Sequence, residues 1–357
     1  MRASRVNSVH DPHASNFFNM FDTHAAGSRI MSANLNTIDP VQGEIALVAC
    51  RVCANTADNR RWIIETAMIR SGEKFPYIEC SKCGCIQIEV VPADLARHYS
   101  EGYYSLEKPG TFHSGALTML LKRIRTRYWI TGRGPLGKAL AQRSDVPIWQ
   151  WWFEHMKIRL DDPILDIGCG AGGLLFNFAD HGFTNLTGID PFLSEASTYG
   201  KAHILPIAHS EAAGHYKLVM MHHAFEHMPD PQEALVSVRR LLTDDGTALI
   251  RIPVAGGYAW RKYGVHWAAL DAPRHLFLHT VKSMQQLAEA AGLEIYDIVF
   301  DSGSFQFWAS ELTAAGRGWQ YNAEEYPADH LTMLEAHAAE LNKAHDGDQA
   351  AFYLRRK

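Results

Sequence analysis

Three sets of residues in this chain have types and spacings that could carry chemistry. The first is the run Asp166-Ile167-Gly168-Cys169-Gly170-Ala171-Gly172-Gly173. Glycines there let a backbone turn tightly and approach a ligand without Cβ atoms in the way. The second is a pair of thiolate turns, Cys50-Arg51-Val52-Cys53 and Cys80-Ser81-Lys82-Cys83-Gly84. Two such pairs supply four soft ligands for a tetrahedral Zn²⁺. The third combines histidines with acids: Glu226-His227, and Asp271-Ala272-Pro273-Arg274-His275-Leu276-Phe277-Leu278-His279. A neutral imidazole near its reference pKa can take a proton from a hydroxyl or a carbon acid.

The glycine run admits more than one ligand. Gly168, Gly170 and Gly173 satisfy a dinucleotide fingerprint, and Asp190 follows at the distance that fingerprint expects. Asp166 separates the readings. A carboxylate repels a neighbouring pyrophosphate, whereas S-adenosylmethionine presents an ammonium and a sulfonium and no phosphate. The expected cofactor site is therefore Asp166, Gly168, Gly170, Gly172 and Asp190, with Asp190 placed to accept from two ribose hydroxyls. A nicotinamide or flavin coenzyme stays open as the alternative, as does a turn that binds nothing.

The cysteine pairs have an alternative too, as a set of buried or spare thiols. With zinc bound, four thiolates leave no open position for water, so the ion is structural. Cys85 is left over, and Cys169 reads as a packed small hydrophobe.

These residues need elements to position them. A buried strand is expected over 163–168, then a helix over 172–180 with Leu174, Leu175 and Phe178 on one face. Further strands are expected over 185–190, 204–208, 217–222, 246–254, 294–301 and 350–354. Helices fall over 231–242 and 281–291, and an irregular insertion follows the fifth strand. Alternating strand and helix predicts an α/β fold: a Rossmann-like, doubly wound, mostly parallel seven-stranded sheet with a small N-terminal zinc-ribbon domain. The chain divides into a flexible leader (1–44), a zinc-binding ribbon (45–92), a helical linker or lid (93–157) and the cofactor-binding domain (158–357).

The motifs resemble a known family. Leu165-Asp166-Ile167-Gly168-Cys169-Gly170-Ala171-Gly172 resembles the first motif of class I S-adenosylmethionine-dependent methyltransferases, and Gly188-Ile189-Asp190-Pro191 the second. His223-Ala224-Phe225-Glu226-His227-Met228-Pro229-Asp230-Pro231 looks like the segment after the fourth strand in the small-molecule branch, which implies His223 at the cofactor. In two places the chain departs from the family. Tyr216-Lys217 stands where the fourth strand usually starts with Asp, and Ser210-Glu211-Ala212 matches the adenine-contacting segment weakly.

An N-terminal ribbon followed by His98-Tyr99 and Tyr103-Tyr104 resembles sugar C-methyltransferases and related glycan-cluster enzymes. That resemblance implies a sugar acceptor, nucleotide-linked or on a surface polysaccharide, and a catalytic role for His275. Where that family has a Glu before the His, this chain has Arg274, which could instead bind an anion. Glu226 and His227 form the competing base. Other acceptors stay open: a small metabolite methylated on oxygen, such as a quinone precursor or polyketide, or RNA.

Composition narrows the partners. The 357 residues are 47% hydrophobic with a formal net charge of -5, which gives no overall attraction to nucleic acid, and none is expected. No apolar run is long enough to span a membrane, and the first forty residues lack a signal-peptide core, so a cytoplasmic protein is expected. Lys122-Arg123-Ile124-Arg125-Thr126-Arg127-Tyr128-Trp129 and Trp149-Gln150-Trp151-Trp152-Phe153 mix cations with amphipathic rings. They read as helices packed on the core or as a peripheral contact with a membrane or a lipid-linked acceptor.

Overall fold

Strand and helix alternate from residue 164 onward because buried parallel strands must be apolar on both faces while the connecting helices are apolar on one. The computed structural model describes residues 43–66, 72–99, 115–144, 146–317 and 326–357. Two units separate, Met1–Asp39 and Pro40–Lys357. Nearly all of the expected leader, and Tyr103-Tyr104, lie outside the described residues.

The N-terminal elements are β1 (Glu44–Ala46), β2 (Asn59–Glu65), β3 (Lys74–Glu79) and β4 (Ile86–Ile88), each antiparallel to the next. Helices α1 (Ala116–Thr131), α2 (Pro135–Ala141) and α3 (Ile148–Glu154) follow. Then come β5 (Ile164–Ile167), α4 (Gly173–His181), β6 (Leu186–Ile189), β7 (Ser197–Tyr199), β8 (Ala202–Leu205), β9 (Tyr216–His222), α5 (Pro231–Leu241) and β10 (Leu242–Pro253). The chain continues through α6 (Tyr258–Tyr263), β11 (Phe277–Leu278), α7 (Val281–Ala290), β12 (Leu293–Phe300), α8 (Phe305–Ala314), α9 (Ala328–Lys343) and β13 (Gln349–Arg356).

The large sheet runs β12-β13-β10-β9-β5-β6-β8-β7. All seven expected strands are present, but the count of seven is corrected to eight by β7. This three-residue Ser-Thr-Tyr strand pairs antiparallel with β8 at the edge and is too short and polar to leave a pattern. The sheet is mixed: β13 lies antiparallel between β10 and β12, and the strands from β10 to β8 are parallel.

Strand alternation divides the core into two layers. Leu165, Ile167, Val219 and Met221 face Leu235 and Val238 of α5. Ile164, Leu218 and Met220 face Phe178 of α4 together with Trp149, Trp152 and Phe153 of α3. The aromatic part of the basic-aromatic stretch is thus core. Helix α5 starts where Asp230 accepts from the Glu233 amide, and Arg239 and Arg240 close it.

The insertion after β10 is more ordered than its sequence suggests. It holds α6, two short 3₁₀ turns and β11, and β11 pairs with β4. The N-terminal sheet is therefore five-stranded, β1-β2-β3-β4-β11, and its last strand comes from the far side of the glycine-rich domain. Among the described residues no helix is long and apolar enough to cross a membrane.

Candidate active site and thiolate cluster

The glycine turn leaves β5 and returns in α4. Gly168 and Gly172 both have positive φ (76° and 88°), a conformation that L side chains rarely adopt. A Cβ on Gly168 would lie 2.5 Å from the Cβ of Ala224, and one on Gly172 would lie 2.7 Å from Ile204 Cδ1. Their bare backbone thus lets the turn pack against the β9 exit and against β8. Ligand approach, the reason expected from sequence, is not the only one.

Asp190 sits just past β6. Its Oδ2 accepts the Gly170 amide at 3.0 Å and its Oδ1 accepts the Phe192 amide at 2.9 Å. Each oxygen keeps a further lone pair for a ligand hydroxyl. Burial raises the Asp190 pKa against those two bonds. Asp166 is 4% exposed; its backbone belongs to the β5 ladders, and its carboxyl group makes no hydrogen bond among the described residues. Burial, and then the neighbouring Asp190, push its pKa up to about 8. A buried carboxylate without a partner calls for a cation.

The second group stands against this turn. His223, at the end of β9, has φ 50° and is tied by its amide to the Arg251 carbonyl. Arg251 can only donate, so the 2.9 Å contact makes His223 Nε2 the acceptor and leaves the proton on Nδ1. That Nδ1 is 3.3 Å from Glu226 Oε1. Glu226 is fully buried, and neither of its oxygens has an aligned hydrogen bond. Burial alone would raise its pKa, but the imidazoles of His223, His227 and His275 hold it down at about 2. The hydrogen-bonding contact from His223 is the largest of these lowering effects.

His227 and His275 face each other edge to face with centroids 4.8 Å apart. Each has Nδ1 on a backbone carbonyl: Arg274 at 2.9 Å for His227, and Ala269 at 2.7 Å for His275. A carbonyl only accepts, so both neutral rings carry the proton on Nδ1 and leave Nε2 basic. His275 Nε2 is 3.9 Å from Glu226 Oε1 and 3.8 Å from Asp271 Oδ2. Burial, and then His275, lower the His227 pKa to about 4, so it is uncharged at neutral pH.

Sequence reasoning brought Glu226, His227, His275 and His223 into view, and the fold puts them in one cluster. His279 is different. It turns into the core between Phe225 and Phe277. Arg274 is 3% exposed and grips Asp271 through Nε and Nη2 (3.0 and 2.6 Å), so it is not presented to an anionic ligand.

Two residues, Tyr99 and Arg251, were not assigned to the site from sequence. Tyr99 stacks on Phe192 at 5.2 Å, and its hydroxyl lies 3.1 Å from His227 Nδ1. It joins the Asp190 side of the crevice to the histidine side, across a separation in sequence that no local pattern reveals. Arg251, which fixes the His223 tautomer, lay inside a recognised strand without a signal of its own.

The four expected thiols also converge, all within 4.8 Å of one another. Cys50 and Cys83 are 3.6 Å apart, and Cys53 and Cys80 are 3.5 Å apart. A tetrahedron with Zn–S bonds of about 2.3 Å has edges of about 3.8 Å, so the residues fit such an ion. The two turns share one geometry. The first Cys bonds its amide to the residue five on and accepts at its carbonyl from the residue four on, Ala54 or Gly84, both at positive φ. Either sulfur of the Cys50–Cys83 pair can be the donor, and the hydrogen bond between them lowers the Cys50 pKa. Gln87 Nε2 donates to Cys50 Sγ at 3.0 Å. Cys85 is buried beside the cluster and Cys169 half-buried in the glycine turn.

Comparison with known proteins follows the same line. Residues 135–298 match a family model described as a methyltransferase domain. This stretch is a methyltransferase domain. It is of the S-adenosylmethionine-dependent kind, and it takes in the glycine turn, Asp190 and the whole histidine cluster. The cysteine turns precede the methyltransferase domain. A 39-residue stretch is 51% identical to EEF1A lysine methyltransferase 2 of Mus musculus, which is 11% of this chain and 16% of that protein's length.

Solved structures similar to the chain include a mycolic acid cyclopropane synthase complexed with SAH and CTAB. It has a TM-score of 0.39 and 16% identity, over 66% of this chain and 93% of that one. A TehB-like SAM-dependent methyltransferase from Corynebacterium glutamicum has a TM-score of 0.35 and 14% identity, over 62% and 94%. The [4+2]-cyclase SpnF has a TM-score of 0.37 and 18% identity, over 63% and 84%.

Proposed function

We propose that this protein transfers a methyl group from S-adenosylmethionine to a small-molecule or glycan acceptor, and that the acceptor is a sugar, nucleotide-linked or on a surface polysaccharide. The observation that carries the reading is the buried, unpartnered Asp166 carboxylate at the glycine turn, beside a cluster of basic imidazoles. S-adenosylmethionine, when bound, supplies an electrophilic methyl group and a positive charge. Asp166 offsets that charge, and Asp190 accepts from the ribose while the Gly170 and Phe192 amides hold it in place.

At the acceptor, His275 Nε2 takes the proton from the oxygen or carbon that receives the methyl group. The Ala269 carbonyl fixes the tautomer that makes this nitrogen basic. Glu226 stabilises the imidazolium so formed, and His227 is the neighbouring neutral base. Hydrogen-bonding groups from Tyr99, Asp271, His223 and Arg251 stand around the cluster, which suits a hydroxyl-rich acceptor better than an apolar one. The four thiolates hold a structural zinc.

The test is incubation with labelled S-adenosylmethionine and separate panels of nucleotide sugars, glycolipids, quinone precursors and transfer RNA, read by mass spectrometry. Methylation of a sugar supports the assignment. Methylation confined to another panel overturns the sugar, and failure to bind S-adenosylmethionine by calorimetry overturns the whole reading.

A further inference from the structure

Segment 275–280 is held from both sides, and the N-terminal side leads back to the thiolate cluster. Tyr77 of β3, fully buried, donates its hydroxyl to the His275 carbonyl at 2.8 Å. The Ile88 amide of β4 bonds the Leu276 carbonyl at 3.0 Å, and Gln87 pairs in register with Phe277. Gln87 is the side chain that donates to Cys50 Sγ. Its Oε1 accepts both the amide and Nε of Arg51 (3.0 and 3.1 Å), and the Arg51 guanidinium lies 4.3 Å over the Phe277 ring. At the far end Thr280 Oγ1 donates to the Cys83 carbonyl at 2.6 Å.

Toward the methyltransferase domain, the same segment gives its Leu276 amide to the Glu226 carbonyl at 2.9 Å and its His279 carbonyl to the Ala255 amide at 2.8 Å. His275 therefore sits where a short strand is clamped between two sheets. One clamp is built on the cysteine turns.

We propose that Tyr77 is a positioning residue for His275, and that an ion held by Cys50, Cys53, Cys80 and Cys83 sets the placement of the His275 imidazole through Gln87, Arg51 and β11. The inference rests on the reading of His275 as the proton acceptor. Of the four ligand cysteines, Cys50 and Cys83 reach this segment, one through Gln87 and one through Thr280. An ion that fixes the distance between them fixes both ends of the β4–β11 pair. Losing the ion frees the two turns, and the Nδ1 contact of His275 with Ala269 loosens with them. The cofactor half of the crevice is built on β5 and β6 and does not pass through this clamp.

The experiment uses the full chain with its metal. The tautomer of His275 is read by long-range proton–nitrogen NMR on histidine-labelled protein, with the signal assigned from His275→Gln. Hydrogen exchange of segment 275–280 is followed in parallel. On removing the metal with a chelator, exchange there should rise at least tenfold and the Nδ1–H signature should fade, with S-adenosylmethionine affinity within twofold. Tyr77→Phe should weaken the same signature while elemental analysis still finds the metal. A merely structural tyrosine would leave it unchanged.

Arg51→Met, at an exposed position, gives a second variant should Tyr77→Phe not fold. An unchanged His275 signature in the metal-free protein and in whichever variant folds overturns the proposal. These readouts need no turnover. Should His275→Gln still transfer methyl groups, the base assignment would fall while the NMR result decides the coupling by itself.

Discussion

Asp166 and Asp190 stand at the ends of two neighbouring parallel strands, and the second carboxylate is one reason the first resists ionisation. Asp166 has a pKa of about 8 in the folded protein, against about 3.9 in an unfolded chain. The folded state then binds the extra proton, so this group's contribution to stability is full below about pH 4 and is lost as pH rises toward 8. Without ligand the melting temperature should fall across that window. Asp166→Asn should remove the part of the slope that Asp166 contributes and weaken S-adenosylmethionine at least tenfold by calorimetry. An unchanged slope and affinity would sink the role given to this carboxylate.

The imidazole cluster has the opposite sign. Burial and His275 put the His227 pKa at about 4, below the unfolded value near 6.5. Its contribution to stability is full above pH 6.5 and is lost as pH falls to 4, on the order of 3 kcal/mol in all. His227→Gln should flatten denaturation midpoints over that range. For turnover, His275→Gln should lower kcat by about 10²–10⁴, the usual contribution of a positioned base, with S-adenosylmethionine affinity within twofold. A larger loss in His227→Gln than in His275→Gln would exchange the two roles.

The sequence made the parallel core legible because each strand is a short apolar run and each ligand-facing turn interrupts it with Gly or Asp. Ile164-Leu165-Asp166-Ile167 shows both features in four residues. Glu226, His227 and the four cysteines were visible because they come as local pairs. What could not be read was cooperation across the chain. Nothing local in Phe277-Leu278 says that it completes a sheet begun at Glu44, and nothing in Tyr77 points to the His275 carbonyl. The strand Ser197–Tyr199 was hidden for a simpler reason, having no apolar pattern at all.

Gly168 should tolerate no side chain. Its φ of 76° strains any L residue, and the new Cβ would meet Ala224 Cβ at 2.5 Å, an atom fixed to backbone. Strain of this kind costs about 1–3 kcal/mol, and crowding adds to it. Gly168→Ala should lower the melting temperature by several degrees and weaken S-adenosylmethionine. Gly200→Ala is the control, since φ is 58° there but the nearest atom is at an ordinary 3.6 Å. Equal effects of the two changes would mean that the packing against Ala224 does not matter.

The thiolate cluster gives the last prediction. Its sulfur spacing matches a tetrahedral zinc site, and its turns are bonded alike, so elemental analysis should find one equivalent of zinc per chain. Cys53→Ser and Cys80→Ser should each lower zinc content and make β1 to β4 sensitive to proteolysis, because the ion joins the two turns that end the hairpins. Cys169→Ser should keep the metal, since that thiol lies in the glycine turn. With no coordination position left open, a chelator should leave S-adenosylmethionine binding intact. A second equivalent that survives in Cys53→Ser would point to Glu226, His227 and His275, whose donor atoms also lie within 4.8 Å of one another. Those residues would then have to be read as ligands, and His275 could no longer serve as a free base.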